Sequence, residues 1–187
     1  VGLSNRNAGG EGDGFNLLGN PYASAIQWGR LEKTNVGPFV WMFDPKNNAY
    51  QVSDDPGYRI DSGAGFFVRV NSGNTGGSLA FNEQAKYVET IASGRQMSVP
   101  GKGNAPVETG TETRLKIALS KDGISDNYLL VFRAGGNDDV DDADAPKIGE
   151  GYLGISGLTA TGTKLSIEER KAVTAGREVR LFIKGWT

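Results

Sequence analysis

At 187 residues with 28 glycines, 37% hydrophobic residues and neither cysteine nor histidine, the chain can bury a core without metal or crosslink, and its glycine content points to many turns and short strands. The missing imidazole excludes Ser-His-Asp and Cys-His nucleophiles and His-based zinc or iron sites, while the missing thiol excludes disulfides and thiolate metal centres. A formal net charge of -2, from 20 basic and 22 acidic residues spread along the chain, offers no footprint for a phosphate backbone, so nucleic acid is not expected as a partner.

The first residues, "VGLSNRNAGGEGDG", lack the charged and apolar regions of a signal peptide, and the start without Met reads as an excised or mature fragment. No run approaches the roughly 18 apolar residues of a membrane span, so membrane insertion is not expected. Next comes "FNLLGNPYASAIQW". Pro21 fixes its own φ and pushes Asn20 toward an extended conformation, so "GNPY" reads as a structural corner with Trp28 packing beneath it.

"FVWMF" (39–43), "GFFVRV" (65–70) and "YLLVFRA" (128–134) are nearly continuous apolar runs of strand length, as central strands covered on both faces require. "DPKNN", "DDPG", "NSGNTGG", "PGKGN" and "RAGGNDD" separate the runs and carry turn-forming residues. Period-two alternation marks half-buried strands in "RLKIALS", "KLSIEE" and "EVRLFIK", which place Leu115, Ile117 and Leu119, then Leu165 and Ile167, then Val179, Leu181 and Ile183 on inner faces. Helix character is confined to "FNEQAKYVET" and "SIEERKAVTAG", each beside a convincing strand.

Roughly ten to twelve strands at this spacing predict an all-β protein, an antiparallel β-sandwich or jelly roll with little helix. Residues 93–111 lose their aromatics and fill with Gly, Pro, Ser and Thr. That segment is either a crossing loop inside one sandwich region spanning 1–187 or a linker between two small sandwiches, 1–95 and 110–187.

Three features bear on chemistry. "NDDVDDADAP" packs carboxylates into one loop, and Asp139, Asp141 and Asp144 are candidate oxygen ligands for a structural calcium ion. An EF-hand counted from Asn137 is excluded, because Asp142 and Ile148 stand where its Gly and Glu belong. No cofactor is otherwise required, since the glycine-rich strings match neither the dinucleotide fingerprint nor the phosphate loop.

Paired carboxylates for glycoside hydrolysis could come from Asp54, Asp55, Glu83 or Glu89, but no spacing singles out a pair, so the chain is not expected to be an enzyme. Tyr50 and Tyr58 flank the polar loop "QVSDDPG" and are the expected exposed aromatics, with Asp54 and Asp55 between them to bond sugar hydroxyls. Trp41, inside an apolar strand, and Trp28, sharing a face with Ile26, are expected in the core.

"GFNLLGNPYASAIQW", "FVWMFDPKNNAYQ", "IDSGAGFFVRV" and "LAFNEQAK" together resemble a segment of large secreted Bacteroidetes proteins, substrates of type IX secretion, whose corner has the form "GNPYxSAIxW". "RLKIALSKDGISDNYLLVFRAGGNDDVDDADAPKI" and "KLSIEE" continue the likeness, which covers most of residues 14–184. Phe15, Ala23, Gln27 and Lys86 depart from its usual Trp, Pro, acid and Arg.

The resemblance implies a β-sandwich and an extracellular or cell-surface location. It also implies the company of adhesins and polysaccharide-degrading enzymes. Further strands on either side belong to that pattern, so an edge here is expected to be open for pairing with another chain. The reading that follows is a non-catalytic module binding polysaccharide or another cell-surface ligand, with a structural spacer or assembly module as the alternative.

Overall fold

The computed structural model describes residues 1–5, 13–87, 112–172, 176 and 178–185. The segment 93–111 lies outside them, as do Glu89 and Trp186. The fold is all-β. Its strands run β1 (Gly2–Ser4), β2 (Phe15–Gly19), β3 (Ile26–Gln27), β4 (Glu32–Thr34), β5 (Val40–Asp44), β6 (Ala49–Ser53), β7 (Arg59–Ile60), β8 (Gly65–Arg69) and β9 (Gly76–Ala80). They continue as β10 (Glu112–Lys121), β11 (Ile124–Arg133), β12 (Ala145–Pro146), β13 (Gly154–Leu158), β14 (Lys164–Lys171) and β15 (Leu181–Lys184). Two-residue strands such as β3, β7 and β12 are too short to show alternation, which is why the pattern predicts fewer.

Among the described residues the helical turns are Trp28–Arg30 and Glu83–Ala85, both 3-10. Asn82 caps the second, its side chain accepting from the Ala85 amide, and this turn is what "FNEQAKYVET" contributes there. The other helix candidate runs on as β14 through Lys171.

Three apolar layers follow from strand alternation. The four-stranded sheet, ordered β2-β8-β5-β6, is the middle wall. Val40, Phe66 and Val68 leave one face to meet Leu3, Ile26, Ile60 and Leu79 from the small sheets β1-β9-β4 and β3-β7, and Trp28 from the 3-10 turn that follows β3. Trp41, Phe67 and Tyr50 leave the other face to meet Val131, Ala145 and Ile167 of the six-stranded sheet, ordered β10-β11-β14-β13-β15 with β12 beside β14. Tyr128 and Leu130 leave that sheet's far face and pack with Leu153 and Ile155. Strands β5, β8 and β11 therefore read as unbroken apolar runs because each feeds two cores.

Trp28 and Trp41 are both buried, and each indole N–H has a carbonyl partner, Pro38 at 2.7 Å and Pro146 at 3.0 Å. At the "GNPY" corner the buried Asn20 amide donates to the carbonyls of Ser24, Ile60 and Asp61, and its oxygen accepts from Tyr22 N. The corner is thus closed by its own asparagine. At the β10–β11 hairpin, Asp122 and Gly123 both take positive φ, 53° and 76°, the two-residue turn that matches strand twist.

Two departures from the sequence pattern matter. β11 and β14 pair in parallel, while the other strand pairs among the described residues are antiparallel. Leu115, Leu181 and Ile183, expected inside, are 49%, 39% and 50% exposed. They sit on β10 and β15, the outer strands of the six-stranded sheet, where the cover provided by the described residues runs out.

Candidate functional site

A cavity of about 350 Å³ opens between β6, the edge of the middle sheet, and the β10–β11–β14 part of the six-stranded sheet. Tyr50 enters from β6, with its ring centroid 5.3 Å from those of both Phe43 and Phe67, so the ring is fixed. Its hydroxyl has no hydrogen-bond partner among the described residues. Leu129 and Ile167, opposite each other in the β11–β14 ladder, supply apolar floor.

Arg114 and Lys116 belong to one face of β10, and their ladder partners Val131 and Leu129 place that face toward the middle sheet. Arg114 is held by the Asp54 carboxylate at 2.6 Å and by Glu112, which Arg133 also engages at 2.9 Å before reaching Glu169 at 3.0 Å. Hydrogen bonds from Arg114 and Arg133 hold the Glu112 carboxyl below its ordinary range. Asn127 shares the face of Lys116 on the neighbouring strand, and neither side chain has a hydrogen-bond or ion-pair partner among the described residues.

Deeper in the same cavity Asp126 and Lys147 form an ion pair whose side chains are 1% and 4% exposed. Asp126 also accepts from Ile155 N at 2.7 Å and, more weakly, from the Gln51 amide at 3.4 Å. Both charges are compensated where they lie, as burial demands.

A second cavity, about 400 Å³, is lined by Asp138, Asp139, Asp144, Glu168, Glu169 and Glu178 together with Arg170 and Arg180. Asp138, Asp144, Glu168 and Glu169 are engaged by neighbours. Asp144 is buried and accepts from Glu169 N and Asp141 N, each at 2.8 Å. Burial outweighs those two bonds and, with Asp141 and Glu168 nearby, pushes its pKa up to about 6. Asp141 accepts from Ala143 N and from the Asn137 amide, Asp142 from Ser72, and Asp138 from Lys171 N. Glu168 takes the Tyr128 hydroxyl and Arg170, and burial and Glu168 raise the Tyr128 phenol.

Asp139, Asp141 and Asp144 are therefore not brought together as a ligand set. No group of three acidic side chains converges as a metal site among the described residues, and the carboxylates of Asp141 and Asp144 already accept backbone N–H groups. The acidic loop instead fastens itself to β14 and to the turn at Ser72.

Of the sequence-predicted ligand residues, Tyr50 and Asp54 reach the inter-sheet cavity. Tyr58 and Asp55 do not line it. Tyr58 is half-buried against the first apolar layer, where burial and Asp61 raise its phenol, and Asp55 closes its own turn by accepting from Gly57 N at 2.7 Å. The two tyrosines therefore belong to different layers and form no exposed pair. Glu83 pairs with Lys86 at 2.6 Å, and neither cavity is lined by more than one of Asp54, Asp55 and Glu83.

Lys116, Arg114, Asn127, Asp126 and Lys147 are among the lining residues that sequence pattern does not single out, since alternation marks Arg114 and Lys116 only as a wet face. Asn127 carried a signal, being an amide at the head of an apolar strand where asparagine is disfavoured. Asn47, read as a turn former, is fully buried, with its amide donating to Leu153 O at 2.7 Å and its oxygen accepting from Tyr152 N and Leu153 N. No protein-family model matches the chain, and neither does any curated protein or solved structure. No helix among the described residues is long and apolar enough to cross a membrane.

Proposed function

We propose that the protein is a non-catalytic extracellular or cell-surface module that binds carbohydrate in the cavity between β6 and the six-stranded sheet. One observation carries this reading: an apolar floor of Tyr50, Leu129 and Ile167 lies beside an asparagine amide and a tyrosine hydroxyl that have no partner among the described residues. Sugar rings present apolar faces and hydroxyl edges, and such a surface answers both. The non-catalytic part rests on the two carboxylates at the cavity, Asp54 and Asp126, each engaged by a cation. The location rests on the sequence resemblance to secreted Bacteroidetes proteins.

Isothermal titration against a panel of soluble polysaccharides tests the reading. Tyr50→Phe keeps the ring packing and removes only the hydroxyl, so it is expected to weaken the responding glycan about tenfold at unchanged fold. Binding to no glycan, or binding indifferent to Tyr50→Phe and Asn127→Ala alike, removes the reading.

A second reading, assembly through strand edges, draws support from Leu115 on β10 and from Leu181 and Ile183 on β15. Light scattering that finds a monomer at every concentration would dismiss it.

A further inference from the structure

We infer that the saccharide this cavity takes is an anionic one, whose carboxylate or sulfate rests against Lys116 and Arg114. The inference rests on the carbohydrate reading above and deepens it. Three cations and two carboxylates line the cavity: Arg114, Lys116 and Lys147 against Asp54 and Asp126. The Asp126–Lys147 pair is closed and buried, so it offers a ligand no free charge. Asp54 answers Arg114 from one side only, through Nη2 at 2.6 Å, while Nε turns to Glu112, which leaves the Nη1 donors of the fork uncommitted among the described residues.

Lys116 is exposed and faces no acidic partner among the described residues. Two positions apart on one strand, the two cations stand side by side at about 7 Å on the same face. Arg114 is shared by two carboxylates, Asp54 and Glu112, so the charge that the wall beside Tyr50 and Asn127 leaves unanswered among the described residues is that of Lys116, on a chain whose formal net charge is -2. A polyanion is repelled by the molecule as a whole, so attraction must be local to such a wall. A neutral glycan would leave the Lys116 charge without a partner, whereas an acidic sugar supplies one next to its own ring-stacking and hydroxyl-bonding groups.

The experiment titrates the whole chain with polygalacturonate and alginate, each beside its carboxyl-reduced neutral counterpart, and with dextran sulfate beside neutral dextran. At low salt the anionic member of at least one pair is expected to bind about tenfold tighter than its neutral counterpart. The pair that responds separates carboxylate from sulfate. That preference is expected to vanish in Lys116→Gln and to shrink in 0.5 M NaCl, while binding of the neutral counterpart is unchanged.

Equal binding of both members with Lys116→Gln silent overturns the inference and leaves the carbohydrate reading standing. An anionic polymer that binds Tyr50→Phe and Asn127→Ala as tightly as the parent chain also overturns it, since the charge would then act away from the cavity. Binding to none of the six polymers or of the wider glycan panel removes the carbohydrate reading itself.

Discussion

The acidic cavity has the denser charge and the inter-sheet cavity the more open chemistry. In the former, Asp144, Asp138 and Glu168 accept from backbone amides, a tyrosine and an arginine, so these three carboxylates are turned inward, and two of them hold a loop against β14. In the latter, a buried ion pair closes the depth while Tyr50, Asn127 and Lys116 keep hydrogen-bonding capacity unused by described neighbours. A binding surface is marked by polar capacity left over after folding, and the number of charges in a hollow is a poor guide to it.

The sharpest way to break this comparison is to remove charges that it counts as structural. Lys147→Met leaves Asp126 buried without its counter-ion and is expected to cost about 3–5 kcal/mol of stability, measured by denaturant unfolding. Asp144→Ala leaves two half-buried amides, those of Asp141 and Glu169, without their acceptor and is expected to cost about 1–3 kcal/mol while leaving glycan binding intact. Loss of binding without loss of stability in Asp144→Ala would move the site to the acidic cavity.

Smaller, and more diagnostic, is the pH response. Asp144 holds its proton up to about pH 6 in the folded chain but only to its ordinary value of 3.8 when unfolded, so the folded state binds the extra proton between those values. This group therefore adds stability as pH falls through 6 and withdraws it as pH rises. The stability difference between the parent chain and Asp144→Asn is expected to favour the parent by about 1 kcal/mol more at pH 5 than at pH 8. A difference that does not change with pH would show that Asp144 is ionised throughout.

Strand pattern made the architecture readable where a strand's two faces met apolar layers, as along β5, β8 and β11. It misled at β15, because alternation in "EVRLFIK" records which residues share a face and not whether anything covers it. The parallel β11–β14 pair was hidden for a related reason, since nothing in either strand encodes direction of pairing. For the site, Tyr50 and Asp54 were visible as an aromatic and an acid near a turn, but the turn sent Tyr58 and Asp55 to another layer. Lys116 and Asn127 lie more than sixty residues beyond Tyr50 in the chain, and only the packing of β6 over β10 and β11 makes them neighbours.

The pairing of β1 with β9, Gly2 opposite Ser78, and of β2 with β8, Phe15 opposite Arg69, sets an order of events for the chain as it folds. The β10–β11 hairpin closes across two residues and can form as soon as it is made, in microseconds. The first strands have no partner until β8 and β9 exist, so during synthesis the amino-terminal segment waits unpaired while later, more local structure assembles. Until then its apolar residues are open to a chaperone or a sticky neighbour.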